Sequence, residues 1–358
     1  MPTLIAEPPE VTDHYIRFSY PDPDHELTGV KLHQEVRRPR NGPEMAWDGS
    51  TGRWRVDFAR PQADRMEYMV ELTHPDGRRE LLCDPFNHLR APGAFGDKSV
   101  VLLPGYRAPK WLIDQVPTGT TTSFRLKCPP FHGEVPVLLW SAPGTGAEDP
   151  LPLLIANDGP EYGMFSGLTL FLDHFTHSGE LPPLRAALIG PVERDESYSA
   201  SAAYARGFAH SVLPAILKQA PAPHGRNMRV GMGASLGGLT MLHIHRRNPA
   251  SFGGLFLQSG SFFRQRFDKH ESGFPRFRRI SRFVGELLTR EDWAHPIPVT
   301  MTCGTIEENL RNNRSVRDAL IRQEYDVELF ENRDGHNWIG WRDTFDPHLL
   351  RLLQRVWT

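Results

Sequence analysis

The run Arg229-Val-Gly-Met-Gly233-Ala-Ser235-Leu-Gly237-Gly238 constrains this chain more than any other stretch. An apolar strand leads into it, and a segment of helical period, Leu239 to about Arg247, leaves it. The serine of a G-x-S-x-G pattern therefore sits on a tight strand-to-helix turn. Such a turn needs a strained backbone at the serine, and the residues two positions away on each side have no room for a bulky Cβ. The helix N-terminus aims N–H groups at the hydroxyl, so the Leu236 N–H is a candidate oxyanion donor. The same pattern also arises as a glycine-rich turn without chemistry. The flanking strand and helix favour Ser235 as a nucleophile.

The rhythm around this turn predicts the fold class. Apolar runs bounded by turn residues occur at 135–140, 151–156, 185–189, 228–232, 254–257, 297–303 and 327–330. From Leu151 onward they alternate with segments of helical period, which points to a mainly parallel sheet covered on both faces. An α/β domain is expected over residues 122–358. The front of the chain reads differently. Trp54 to Phe58 alternates, Met66 to Leu72 is strand-like, and Pro75-Asp76-Gly77 turns into Arg79–Leu82. Turn signals at roughly ten-residue intervals suggest a small β-sandwich over residues 1–103. Gly105, Pro109, Pro117 and Gly119 mark 104–121 as a linker.

A serine hydroxyl is a weak nucleophile until a base takes its proton. Of the 16 histidines, His336 has the right setting: Asp334-Gly335-His336-Asn337-Trp338 follows the last predicted strand, about 325–330, and precedes the final helix. His243 and His245, two apart on one helix, do not face one metal together; one is expected in the core and the other at the surface. His270, His295 and His348 are expected to be solvated. The acid that orients the imidazole is sought at the tip of the preceding strand, where Gly304-Thr-Ile-Glu307-Glu308-Asn309 supplies two carboxylates. Glu307 is favoured; Glu308 instead suits the start of the next helix, where a carboxylate complements the dipole. The order Ser235, Glu307, His336 is that of the α/β hydrolases.

Composition excludes several classes. A hydrophobic fraction of 39% and charged fraction of 23% suit a globular protein, and a formal net charge of -2 offers no general attraction to nucleic acid or anionic membrane. No apolar run approaches the roughly 20 residues of a membrane span. The start, Met1-Pro-Thr-Leu-Ile-Ala-Glu7, lacks the basic and apolar regions of a secretory signal. Three widely spaced cysteines, Cys83, Cys128 and Cys303, form neither a disulfide framework nor a zinc pattern, so a cytoplasmic setting is expected. No metal-ligand cluster and no cofactor are expected, and the sequence leaves the oligomeric state open.

The chain resembles the enterochelin esterase family, a branch of the esterase-D-like α/β hydrolases. Four motifs carry the resemblance: Asn157-Asp158-Gly159-Pro160-Glu161-Tyr162, Arg194 through Tyr198, the serine turn, and Gly335-His336-Asn337-Trp338 with Trp341. The front domain is similar to that family's immunoglobulin-like early-set domain through Gly52-Arg-Trp54 and Asp84-Pro-Phe-Asn87. The resemblance implies hydrolysis of the ester bonds of tri-catecholate siderophores, with release of iron in the cytoplasm. Iron would then arrive with the substrate. The resemblance also implies a second oxyanion donor beside Asp158-Gly159. Pro160 has no N–H, so either Gly159 or Glu161 serves or the oxyanion hole is weaker. A ferric tri-catecholate is anionic, which makes Arg194, and Arg264 and Arg266 in the basic, aromatic-interleaved stretch 264–279, candidate binding residues beside Trp338. The alternatives for these arginines are a solvated basic loop and, for Arg194, a salt bridge to Glu193, Asp195 or Glu196.

Three functions share these residues. The first is ester hydrolysis through an acyl-enzyme, on a siderophore lactone or on simpler esters as a general carboxylesterase. The second is acyl transfer, since mycolyltransferases share the fold and the serine turn. The third is a non-catalytic carbohydrate-binding protein, because early-set domains accompany glycan enzymes. An intact serine, histidine and acid argue against the last.

Overall fold

The computed structural model describes residues 7–129, 131, 133–291 and 294–357. The first six residues, part of the stretch read above as no secretory signal, lie outside them. The chain divides into two compact units. The smaller holds Met1–Arg107 together with Gly304–Glu307 and Arg333–Gly340; the larger holds Ala108–Cys303, Glu308–Asn332 and Trp341–Thr358.

Among its described residues, the smaller unit contains ten strands: β1 (Glu10–Val11), β2 (Tyr15–Pro21), β3 (Gly29–Gln34), β4 (Asn41–Glu44), β5 (Ala46–Asp48), β6 (Arg53–Ala59), β7 (Arg65–Thr73), β8 (Arg79–Leu82), β9 (Arg90–Ala91) and β10 (Lys98–Leu102). They form two sheets, one ordered β1-β2-β6-β5 and the other β4-β3-β7-β10-β9 with β8 on β7, and every strand pair with a defined register is antiparallel. Alternation along β7, buried at Met66, Tyr68, Val70 and Leu72, turns one face of its sheet inward. Those side chains share a core with Ile16, Phe18, Trp54 and Phe58 from the other sheet. At the edge of this core, the Tyr68 hydroxyl donates to Asp84 at 2.7 Å, and Asn87 Nδ2 donates to the Val100 carbonyl at 2.8 Å. The Asp84–Asn87 motif thus closes a turn by satisfying buried polar groups.

The larger unit is built on one sheet of β11 (Thr120–Lys127), β12 (Glu134–Ser141), β13 (Leu153–Asn157), β14 (Arg185–Ile189), β15 (Arg229–Ala234), β16 (Gly254–Gln258), β17 (Pro298–Gly304) and β18 (Asp326–Asn332). Its order is β11-β12-β14-β13-β15-β16-β17-β18. The pairs from β14 through β13, β15 and β16 to β17 are parallel, and β12 runs antiparallel to both β11 and β14, so the sheet is mixed. All seven apolar runs are strands. β13, β14 and β16 are buried at every position, as strands covered on both faces must be. The sequence reading missed β11, whose first two residues, Thr120 and Thr121, fell in the expected linker. This edge strand is exposed except at Phe124 and Leu126, so it has no apolar run to announce it. The stretch before it is also anchored: Trp111 is buried and stacks edge-on against Phe171 at 5.7 Å. No helix among the described residues is long and apolar enough to cross a membrane.

Candidate active site

Ser235 lies at the carboxyl end of β15, where the helix Leu236–Arg247 begins. Its backbone sits at φ 55°, ψ -124°, a conformation that L-residues rarely adopt. Two glycines make the turn possible. A Cβ at Gly233 would lie 2.5 Å from the Gly237 carbonyl carbon, and one at Gly237 would press to 3.3 Å on Asn157 and Asp158. Backbone bonds fix the rest: Ser235 N–H donates to the Gln258 carbonyl at 2.9 Å, and Ser261 N–H donates to the Ser235 carbonyl at 3.1 Å. The Ser235 hydroxyl lies 3.0 Å from that of Ser261, a buried neighbour with no motif to mark it in the sequence. Between Val230 and Thr240, Ser235 alone is not fully buried. The helix behind it is buried almost throughout, which corrects the expectation for its histidines. Neither reaches the surface: His243 meets the edge of Phe283, and His245 lies 2.9 Å from the His295 carbonyl and 3.2 Å from the Tyr325 hydroxyl.

The loop after β13 runs Asp158-Gly159-Pro160, with Asp158 at φ 51° and Gly159 opening a helix to Ser166. Gly159 is obligatory, because a Cβ there would lie 2.3 Å from the Leu188 backbone. Pro160 sits in the first turn of that helix, where a missing N–H removes no helical bond. Asn157 Nδ2 donates to the Gly237 carbonyl at 3.1 Å and joins this loop to the serine turn. Arg194 pairs in bidentate fashion with Asp158, Nε to Oδ1 at 2.9 Å and Nη2 to Oδ2 at 2.8 Å. Its partner is thus none of the three neighbouring carboxylates considered from sequence.

The smaller unit holds Glu307 and His336, the expected acid and base. His336 Nδ1 lies 2.8 Å from Glu307 Oε2, while Glu307 Oε1 accepts the Gly304 N–H at 2.8 Å. The Glu307 side chain is 2% exposed and that of His336 34%, so a buried carboxylate orients an accessible ring. A carboxylate only accepts, so Nδ1 carries the proton and the neutral imidazole has its lone pair on Nε2. Glu308 is turned elsewhere and meets His270 Nε2 at 2.7 Å; His270 is surface-exposed but paired rather than merely solvated. With Glu271, these residues form the one His/Cys/Asp/Glu group of metal-binding spacing found among the described residues, a cluster the sequence reading did not foresee. His348 is half-buried, stacked on Phe330 at 3.8 Å, with burial pushing its pKa down to about 4.

The basic stretch divides. Arg276 and Arg279 pair with Glu196. Arg264 and Arg266 instead lie 4.8 and 5.5 Å from the Phe267 ring centroid, with Arg311 at 3.6 Å, so three guanidinium groups surround one phenyl ring. Trp338 is half-buried at the start of the helix Trp338–Arg342.

No family model matches the chain. A curated relative from Escherichia coli O6:H1, an iron(III) enterobactin esterase, is 24% identical and spans 92% of this chain and 85% of its own length. One of the same name from Dickeya dadantii is 26% identical over 53% of this chain and 45% of its own. Among solved structures, the Shigella flexneri enterobactin esterase in the presence of enterobactin superposes with a TM-score of 0.76 at 18% identity, covering 97% of this chain and 94% of that one. A ferulic acid esterase superposes with a TM-score of 0.57 at 16% identity, over 67% of this chain and 99% of its own. These likenesses show a shared α/β-hydrolase fold.

Proposed function

Curated relatives and structural neighbours alike support the enterochelin esterase family for this chain, and on that premise we propose that it hydrolyses the ester backbone of a tri-catecholate siderophore through a serine acyl-enzyme. Ser235 attacks the ester carbonyl while His336 takes its proton and passes it to the departing alcohol. A water, deprotonated by His336 in turn, then cleaves the acyl-serine to the acid and restores Ser235. Glu307 holds the imidazole and stabilises its charged form throughout. The Leu236 and Gly159 N–H groups receive the oxyanion. The observation that carries this reading is the strained Ser235 turn, since a backbone conformation this rare persists where it serves a function. The buried Glu307 carboxylate on His336 supports the same chemistry.

Arg194, Arg264, Arg266 and Trp338 are the proposed contacts to an anionic, aromatic substrate. The three guanidinium groups around Phe267 favour that assignment for Arg264 and Arg266. The bidentate pair with Asp158 gives Arg194 a second task in holding the Gly159 loop. Residues 1–103 are proposed as an early-set, immunoglobulin-like domain, followed by a 104–121 connection and a hydrolase domain over 122–358, in a cytoplasmic protein. A general carboxylesterase is the second reading, favoured by the ferulic acid esterase likeness. Specificity constants separate the two. A ferric tri-catecholate trilactone is expected to exceed a nitrophenyl acetate by at least about 10²-fold. Equal or inverted constants reject the siderophore reading.

A further inference from the structure

The stretch from Gln62 to Arg65, at the start of β7, touches both loops that carry the acid and the base. The Gln62 carbonyl accepts the Thr305 hydroxyl at 3.2 Å. Asp64 N–H donates to the Arg333 carbonyl at 2.7 Å, and Arg333 Nε returns a bond to Asp64 Oδ1 at 2.8 Å. Arg65 goes deeper: its side chain is 2% exposed, and Nη1 donates to Asp334 Oδ2 at 3.1 Å and to Asn337 Oδ1 at 2.7 Å. Asn337 Nδ2 donates in turn to Asp334 Oδ1 at 2.8 Å, and that oxygen also accepts the Gly335 N–H at 2.6 Å. Arg65, Asp334 and Asn337 therefore close a triangle around the two residues between 334 and 337, of which His336 is one.

A buried guanidinium is expensive to desolvate, and an apolar residue of similar volume often serves stability as well. Burial alone lowers the Arg65 pKa; the Asp334 and Glu67 carboxylates outweigh it and hold the group above its ordinary value. Its charge is shared between Glu67 on its own strand, 2.9 Å from Nη2, and the turn that holds Asp334 and Asn337. Within the turn, the Asn337 N–H donates to the Gly335 carbonyl at 3.1 Å, and Asn337 Oδ1 accepts the Gly340 N–H at 2.7 Å. Asp334 is capped by its own neighbours, and a Cβ at Gly304 would lie 2.2 Å from the Asp334 carbonyl oxygen, so the acid loop and the base loop pack without slack. A rotation at 334–337 would swing the imidazole off Glu307.

We propose that Arg65, on the first strand position of β7, is a positioning residue for the esterase reaction, fixing the 334–337 turn and so the orientation of His336 toward Glu307. The inference rests on the triad reading above, and its test separates the two. The full-length chain is compared with Arg65→Lys, Arg65→Met and Asn337→Ala, using the downfield imidazole N–H proton of the His336–Glu307 bond (identified by its loss in His336→Ala) alongside kcat and KM for a nitrophenyl ester. The expected result is a folded Arg65→Lys protein with kcat lowered on the order of 10–100-fold, KM within about twofold, and the downfield proton shifted or broadened. Near-UV circular dichroism reports folding. If Arg65→Met does not fold, Arg65→Lys and the half-buried Asn337→Ala carry the test. Folded Arg65 and Asn337 variants with unchanged resonance and kcat overturn the inference, even where Ser235→Ala is inactive. An active Ser235→Ala protein overturns the triad reading instead, whatever the resonance does.

Discussion

The serine turn of the larger unit and the histidine turn of the smaller one are fixed by different means. Around Ser235 the backbone does the fixing: a rare φ, two glycines without room for a Cβ, and main-chain bonds to Gln258 and Ser261. Around His336 side chains do it, through Glu307, Asp334, Asn337 and the buried Arg65. Backbone-fixed geometry tolerates few residue types and resists change elsewhere. Side-chain-fixed geometry depends on charges that any one substitution removes. The comparison predicts that losses on the serine side follow from the reacting atom alone, whereas losses on the histidine side spread over its partners.

The largest effect expected is at the nucleophile. Ser235→Ala keeps the turn, because alanine carries the same Cβ in the same strained backbone, and turnover of a nitrophenyl ester falls roughly 10⁴–10⁶-fold. Loss of labelling by a fluorophosphonate probe, with an unchanged circular dichroism spectrum, accompanies it. Near-native turnover in this variant refutes the assignment of Ser235.

A smaller loss is expected one step back from the reacting atoms. Glu307→Gln leaves a neutral acceptor where a buried carboxylate stood, so the imidazolium formed during attack loses its counter-charge. A fall in kcat of about 10³–10⁴-fold is expected, comparable to the loss when a triad acid becomes an amide. The adjacent Glu308→Gln provides the control, since that carboxylate is engaged with His270. It is expected to change kcat by less than about threefold, as for a partly exposed ion pair. Equal losses at both positions break the contrast between the two carboxylates.

The same contrast explains what the sequence disclosed. The strained turn at Ser235 was legible because backbone strain writes itself into composition: glycines at 233 and 237 between an apolar strand and a helix have few other causes. The parallel strands were legible because burial on both faces demands solid apolar runs. β11 was not, since an exposed edge strand needs apolar residues at only Phe124 and Leu126. Arg65 was invisible for a deeper reason. Its partners lie 269 and 272 positions away, and an arginine in an alternating strand reads as an ordinary solvent-facing residue. Arg194 was singled out, yet its pairing with Asp158, 36 positions back, was not predicted, because sequence neighbours are the first candidates for an ion pair. Of His243 and His245, one was expected at the surface and neither lies there, because a lone helix shows one apolar face, whereas this one is buried from Leu236 to Arg246.

That enclosure has a consequence for the serine side. Burial, aided by the nearby cations Arg247 and Arg279, pushes the His243 pKa down to about 3, and burial pushes that of His245 down to about 4. Both are neutral in the folded chain at pH 5, whereas the unfolded chain binds a proton at each below about pH 6.5. Stability is therefore fully present above pH 6.5 and is lost as the pH falls toward 4. Over the roughly 1.5 units from 6.5 to 5, each histidine lowers stability by about 2 kcal/mol. His243→Leu, which fills a similar volume against Phe283 without a titrating group, is expected to recover about that amount at pH 5 relative to its effect at pH 7.5, measured by urea unfolding. An equal effect at the two pH values shows that the buried ring does not titrate in this range. In that case the acid sensitivity of the helix behind Ser235 rests on His245 alone, which His245→Leu measured at the same two pH values checks.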